Sequence, residues 1–418
     1  MTTRRADALI IGAGPSGSAT AILLARAGWH VTLVEKESYP RRKVCGECLT
    51  AGSLELLDSL GVGDGVRAHA GPELRTIGWM DRRATLIADF PACEGGAYRY
   101  GRALRREHLD VLLRDRAISL GVAVLQPARV LSVRGGPGNF QCDIELADTR
   151  QKLNLESSTV IDAHGSWQRG PLVTAGSPRH VSRKRQRASD LFAFKAVFEQ
   201  TRLSPGHLPV MALPGGYGGM VVADDGLATL ACCLRRDVLS ACRIGHQGLP
   251  AGDAVEAYLR RNCLGLREAV SGARRSGSWL TVGPLRPGVH GLTGDTLLRV
   301  GNAAGESHPL IGEGIAMALQ SAVLLTAELK RMSPASMTAR AGLDLQQRYA
   351  RAWRHAFARR LHVAALYAHI AMRPNLANAT RTLLARWPSS LTRAAQLAGK
   401  ARANGTRRPS TGVHYEYT

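Results

Sequence analysis

Three glycines, Gly12, Gly14 and Gly17, stand in Gly-x-Gly-x-x-Gly spacing directly after the apolar run Ala8-Leu9-Ile10-Ile11. That pattern binds phosphate with main chain rather than side chains. The first glycine allows a tight turn, the second lets a pyrophosphate approach the backbone, and the third lets the next helix pack closely on the strand. The first free amides of that helix then face the phosphates. Glu35 closes a second apolar run, Val31-Thr32-Leu33-Val34, where such a unit places the carboxylate that accepts the ribose hydroxyls of an adenosine dinucleotide.

Two further groups carry chemistry. Cys45-Gly46-Glu47-Cys48 is the one C-x-x-C in the chain. A structural zinc would need a second ligand pair, which no suitable spacing supplies, and a thioredoxin-type pair would open a helix in a different fold. The two cysteines read either as thiols or as a redox pair, and Glu47 reads either as a proton donor or as a loop carboxylate satisfied by its neighbours. Late in the chain, Gly301-Asn302-Ala303-Ala304-Gly305 leads to Pro309-Leu310-Ile311-Gly312-Glu313-Gly314-Ile315. There Gly312 and Gly314 open a helix with its amides free, a positive end able to meet a developing anion at close range.

These residues need elements to hold them. Between the two apolar runs, Ala19, Ile22, Leu23 and Ala27 give the connecting helix its apolar face, and Gly28 ends it. A helix over about 50–60 follows, with Leu54, Leu57 and Leu60 as its buried stripe. Residues 72–100 read as strands and loops. Residues 103–120 read as a helix with Leu109, Leu112, Leu113 and Ile118 on one face and Arg105, Arg106, Arg114 and Arg116 on the other, stopped by Gly121. Strands are expected at 122–125, 128–133 and 142–146, and at 159–163, which returns to the nucleotide-binding sheet and emerges at His164-Gly165. Residues 185–285 read as a mixed β domain, with Asp224-Asp225-Gly226 a hairpin turn. A buried strand at 297–300 delivers the late glycines, a helix runs from there to about residue 330, and 341–400 is helical.

Composition bounds the rest. The 418 residues suggest two or three domains, and 45% hydrophobic with 21% charged residues is ordinary for a globular chain. Fifty-five Lys and Arg against thirty-three Asp and Glu give a net charge of +22, whose field attracts anions: nucleic acid, an anionic membrane surface, an acidic carrier protein or a phosphorylated substrate. The arginines are spread along the chain, which argues against a nucleic-acid arm, and the dense run at 183–187 reads as a solvated loop. No stretch approaches the roughly 18 apolar residues of a membrane span. The eight cysteines are irregularly spaced. The expectation is a cytoplasmic protein with reduced thiols, peripheral to a membrane at most.

With the glycine turn, the Gly-Asn-Ala-Ala-Gly segment and the Pro-x-x-x-Glu-Gly-Ile helix start together, the chain resembles an FAD-dependent oxidoreductase of the group that holds geranylgeranyl reductases, aromatic hydroxylases, squalene epoxidases and flavin halogenases. Lys43-Val44-Cys45-Gly46-Glu47 and the segment from Pro309 to Ile315 resemble the geranylgeranyl reductase-like branch most. The resemblance implies an α/β (α+β) fold: a Rossmann-like FAD-binding domain from 1–70, 103–184 and 286–335, an inserted mixed β substrate domain from 71–102 and 185–285, C-terminal helices over 336–402 and a disordered tail over 403–418. It implies that Gly12, Gly14, Gly17 and Glu35 hold the ADP half of FAD, that Arg106 lies near the pyrophosphate, and that Asn302, where the family usually has Asp, meets the ribityl chain. Gly312 and Gly314 would face the flavin pyrimidine, and Cys45 and Glu47 would be the candidate catalytic residues on the substrate side.

Three departures shape the functional expectation. His164-Gly165 replaces the Asp-Gly that organises nicotinamide contacts in the hydroxylases, so NAD(P)H as electron donor is open. The halogenase tryptophan pair is missing. The reductases' Tyr-x-Trp-x-Phe-Pro segment keeps just Tyr217 here. The first reading is hydride exchange with a largely apolar or carrier-linked small molecule. The second is an NAD(P)H-dependent monooxygenase, and the third a non-catalytic flavin-binding protein.

Overall fold

The computed structural model describes residues 4–166, 172–173, 186–245 and 248–399. The segment 183–185 of the basic run and the tail 403–418 lie outside the described residues.

The strand Arg4–Ile11 lies inside the first sheet, with neighbours on both sides. It pairs in parallel with Val31–Val34 on one side (Leu9 opposite Thr32) and with Lys152–Asp162 on the other (Leu9 opposite Val160). Val31–Val34 and residues 157–162 of the other neighbour are buried on both faces, as a parallel sheet between helices requires. Ala123–Leu125 extends the sheet beyond Val31–Val34. Lys152–Asp162 begins antiparallel to Asn139–Leu146 and finishes parallel to Arg4–Ile11, so one long strand joins a β meander to the nucleotide-type sheet. Leu298–Arg299 lies alongside its end, parallel at Ile161 and Asp162. The expected returning strand is therefore present but starts seven residues earlier, at Lys152 rather than 159.

A second sheet runs in the order Arg274–Arg275, Leu191–Glu199, Ala228–Arg235, Gly216–Val222, His207–Leu213, Thr76–Met80, Thr85–Asp89, with Leu280–Val282 also pairing to Leu191–Glu199. Thr76–Met80 pairs in parallel with His207–Leu213 although more than a hundred residues separate them, which brings the 71–102 segment into the later sheet. Helices Arg236–Ile244, Ala251–Asn262 and Leu264–Ala269 accompany it.

Two expectations for the helix now seen as Arg106–Ser119 are corrected. Its buried stripe is Leu109, Leu113 and Ala117, four residues apart, and Ile118, one position out of step, is 49% exposed. Arg106 lies on the buried side, 8% exposed, because Asp110 one turn later neutralises it. The C-terminal region divides into Ala339–Ala371, Pro374–Arg386 and Ser389–Leu397. Pro374 and Pro388 force these breaks, since proline drives the residue before it away from helical geometry.

Candidate functional site

The glycine turn has the geometry its spacing implies. Gly12 has φ +104°, and a Cβ there would meet the Ala163 carbonyl oxygen at 2.6 Å; a Cβ on Gly17 would lie 1.8 Å from the Gly12 oxygen. Strand, turn, helix and returning strand thus close on one another with no room for side chains. The helix Pro15–Arg26 begins there with Gly14 as its cap. Glu35 is buried, accepting from the amides of Ala13 (2.9 Å) and Glu37 (3.0 Å), one on each carboxylate oxygen.

Around Gly14 stand cations. A Cβ at Gly14 would lie 3.5 Å from Arg106 Nη2 and 3.9 Å from Arg41 Nη2. Arg106 donates to both oxygens of Asp110 (2.6 and 2.7 Å), and Arg41 lies 3.4 Å from Glu35 and 3.5 Å from Asp110. Burial pulls the Arg106 pKa down, but the Asp110 carboxylate outweighs it and leaves the guanidinium more firmly charged than usual. Lys43 feels the same group: burial, Arg41 and Arg106 push it down to about 8. Three cations against the carboxylates of Glu35 and Asp110 leave the pocket net positive. Arg41 Nε is buried with no hydrogen-bond partner among the described residues.

The loop 44–48 turns from this cradle toward the second sheet. Glu47 has φ +60° and is buried. Its carboxylate accepts from the fully buried Lys195, from Thr229 Oγ1 at 2.6 Å and from the Arg106 amide at 3.0 Å, capping that helix. Cys45 Sγ accepts from the Glu47 amide at 3.3 Å, and Cys48 donates to the Gly46 carbonyl at 3.4 Å. Both cysteines are thiols, neither of them in a disulfide.

On the opposite side, Asn302 donates to Ser166 Oγ at 2.6 Å, leaving its amide oxygen as acceptor. Gly312 is left-handed, with φ +60°, and Gly314 is the first residue of helix Gly314–Leu329. A Cβ at Gly314 would meet nothing within 4 Å. Glu313 between them is buried and paired with Arg360 of the long C-terminal helix.

Cys45, Glu47, Asn302, Gly312 and Gly314 converge on one cavity of about 290 Å³. Its far wall is the second sheet, through Ile77, Trp79 and Leu208, and its lid is the last two helices, through Leu384 and Leu391. No lysine or arginine is among the described residues that line it. One corner is polar. Tyr217 Oη lies 3.0 Å from His308 Nδ1, and burial drives the tyrosine hydroxyl upward and the histidine down to about 4. Glu306 lines the same cavity with its pKa raised by burial, partly offset by a hydrogen bond from Ser166.

Residues 5–180 match the family model described as an FAD binding domain. The chain is 28% identical over 357 residues to menaquinone reductase of Mycobacterium tuberculosis, 81% of each chain being covered. Its fold is shared with the myxobacterial chondrochloren halogenase (TM-score 0.71, 20% identity, 95% and 97% covered) and a geranylgeranyl bacteriochlorophyll reductase-like protein of Thermoplasma acidophilum (TM-score 0.67, 16% identity, 95% and 100% covered).

The protein is an FAD-dependent oxidoreductase.

For this flavoenzyme the residues present fit the cofactor. The cradle is free of side chains where phosphates must approach, it is ringed by donors with one buried guanidinium nitrogen unpartnered, and the space over Gly314 is open. Sequence reasoning missed several groups in the candidate site: Arg41 and Lys43, whose signal was the basic run Arg41-Arg42-Lys43 just after Glu35, and Ser166, Glu306 and His308, which carry no spacing signal of their own.

Proposed function

We propose that the protein exchanges a hydride between FAD and the carbon skeleton of a largely apolar small molecule, reducing or introducing a carbon double bond. The cavity carries this reading: most of the residues that line it, from the loop at Cys45 to the last two helices, are apolar, and besides Glu47 and Asn302 its titratable and hydrogen-bonding groups include the pair Tyr217 and His308 and the nearby Glu306. The likeness to menaquinone reductase supports it.

Gly12, Gly14, Gly17 and Glu35 hold the adenosine and pyrophosphate half of FAD in this proposal, with Arg106, Arg41 and Lys43 neutralising the phosphates. Asn302 accepts from the ribityl chain. Gly312 and Gly314 leave the helix amides bare toward the ring, where a positive helix end favours the reduced cofactor's negative charge. When bound, FAD supplies the two-electron chemistry. Cys45 faces the cavity and is the catalytic candidate that touches the reacting atoms. Glu47, engaged by Lys195, Thr229 and the Arg106 amide, is a positioning residue that fixes the loop carrying Cys45. Tyr217 and His308 hold a carbonyl or hydroxyl of the substrate, while the closed apolar walls exclude water.

NAD(P)H is the proposed electron donor, and the positive surface suits a substrate presented by an acidic carrier or an anionic membrane. The test is anaerobic incubation of FAD-loaded protein with NADPH and an isoprenoid quinone, followed by mass spectrometry. A quinone that, after any quinol has been reoxidised, still carries two extra hydrogens supports the proposal. A product formed just in air, gaining one oxygen atom, replaces it with the monooxygenase reading.

A further inference from the structure

The last two helices have two apolar faces. Leu384, Leu391 and Ala395 point inward and line the cavity. Leu376 and Leu383, two turns apart on Pro374–Arg386, and Trp387 at the cap that ends this helix are exposed by 40%, 48% and 54%. Leu366 and Leu397 add exposed leucines on the neighbouring helices. A helix on the surface of a globular protein turns a polar face outward, and a contiguous apolar stripe there marks an interaction surface.

The charge of this segment is one-sided, although Asp81 and Asp89 lie on elements packed against it. From residue 345 to 399 the chain has nine arginines and no Asp or Glu. Arg348, Arg360 and Arg381 face Glu328, Glu313 and Asp81, and the other six are exposed. The Arg386 guanidinium lies over the Trp387 ring, 5.5 Å from its centre. Among the described residues no helix is long and apolar enough to cross a membrane.

We infer that this face docks onto the anionic surface of a lipid bilayer. Leu376, Leu383 and Trp387 enter the boundary between headgroups and acyl chains, and the exposed arginines meet lipid phosphates. An acidic protein would match the charge but would face an apolar stripe, whereas a bilayer satisfies both at once. The helices form a single layer between that surface and the cavity, so an apolar substrate reaches the site from the acyl region through the lid. This route rests on the apolar substrate proposed above; the docking itself does not.

Co-sedimentation of the full-length, FAD-loaded protein with vesicles tests it, using phosphatidylcholine alone or mixed with phosphatidylglycerol. Binding is expected on the mixed vesicles, weakened by salt. The triple variant Leu376→Ser, Leu383→Ser, Trp387→Ser should lose about tenfold in partitioning, with flavin content and melting temperature unchanged. Arg373→Gln, Arg386→Gln, Arg393→Gln should lose binding in proportion to the anionic lipid. No binding to the mixed vesicles, or binding that survives the triple variant, overturns the inference. So does self-association that the triple variant abolishes, which gives the face to a second copy, or capture by an acidic carrier protein in place of vesicles. Turnover of a short, water-soluble substrate in vesicle-free buffer reports on the proposed reaction separately.

Discussion

Lys195, on strand Leu191–Glu199 of the second sheet and fully buried, donates its ammonium hydrogen to the Glu47 carboxylate on the loop beside the FAD cradle. The pair ties the sheet to the loop and, through the Arg106 amide, to the start of a helix. Lys195→Met should leave a buried, uncompensated carboxylate and cost about 3–5 kcal/mol in denaturant unfolding. Adding Glu47→Gln should return most of that. A single variant as stable as the parent would show that the pair contributes nothing net.

Cofactor affinity should depend on the cations at Gly14. Arg41→Ala, which removes a guanidinium 3.9 Å from the Cβ position of Gly14, should weaken FAD binding about ten- to hundredfold with little effect on the fold. Asp110→Asn should also weaken it, by releasing Arg106 from its bidentate partner. Titration of the apoprotein by flavin fluorescence quenching measures both.

Lys43 supplies a pH dependence. Its pKa is held at about 8 instead of 10.5, chiefly by burial and then by Arg41 and Arg106. Between those values the unfolded chain binds more protons than the folded one, so the apoprotein's stability rises with pH across that window. FAD binding runs the other way. Phosphate favours the protonated lysine, so affinity should fall above about pH 8, by at most about tenfold per pH unit. Lys43→Gln should flatten that fall.

Gly17 and Gly314 should respond to alanine in opposite ways. Gly17→Ala places a methyl 1.8 Å from a backbone oxygen and should prevent folding of the turn. Gly314→Ala adds a Cβ that meets nothing within 4 Å and should fold as well as the parent, yet purify with less flavin because the methyl occupies the ring's approach. Flavin absorbance alongside circular dichroism separates the two.

At the polar corner, Tyr217→Phe should lower kcat/KM about ten- to hundredfold with full flavin content. Burial holds His308 near 4, below its ordinary 6.5, so it is neutral at neutral pH. The activity profile should show no ionisation near 6.5 that His308→Asn removes; such an ionisation would show that the histidine is solvated.

Much of the cradle was legible because its logic is local. Gly12, Gly17 and Glu35 act within one strand, turn, helix and strand, where spacing alone sets the geometry. Arg106 could be read as a phosphate residue but not as buried, since periodicity counts a charged side chain as outward unless its partner is recognised; here that partner, Asp110, is one turn away. The Lys195–Glu47 pair and the Tyr217–His308 corner join segments that no local pattern connects. The same holds for the parallel pairing of Thr76–Met80 with His207–Leu213. The outer stripe of the last helices escaped notice because an apolar periodicity reports that a face is covered and does not say by what.

The long strand Lys152–Asp162 has a consequence for how the chain comes off the ribosome. Its first half pairs with a neighbour just made, while its second half must find Arg4–Ile11, synthesised long before, and then wait for Leu298–Arg299. Such distant closures are slow steps in folding. The residues proposed to meet the flavin ring, Asn302 to Gly314, are translated later still, so FAD capture is expected to be a late event. Until then the nascent sheet stands with an open edge, a stretch where chaperone protection counts most.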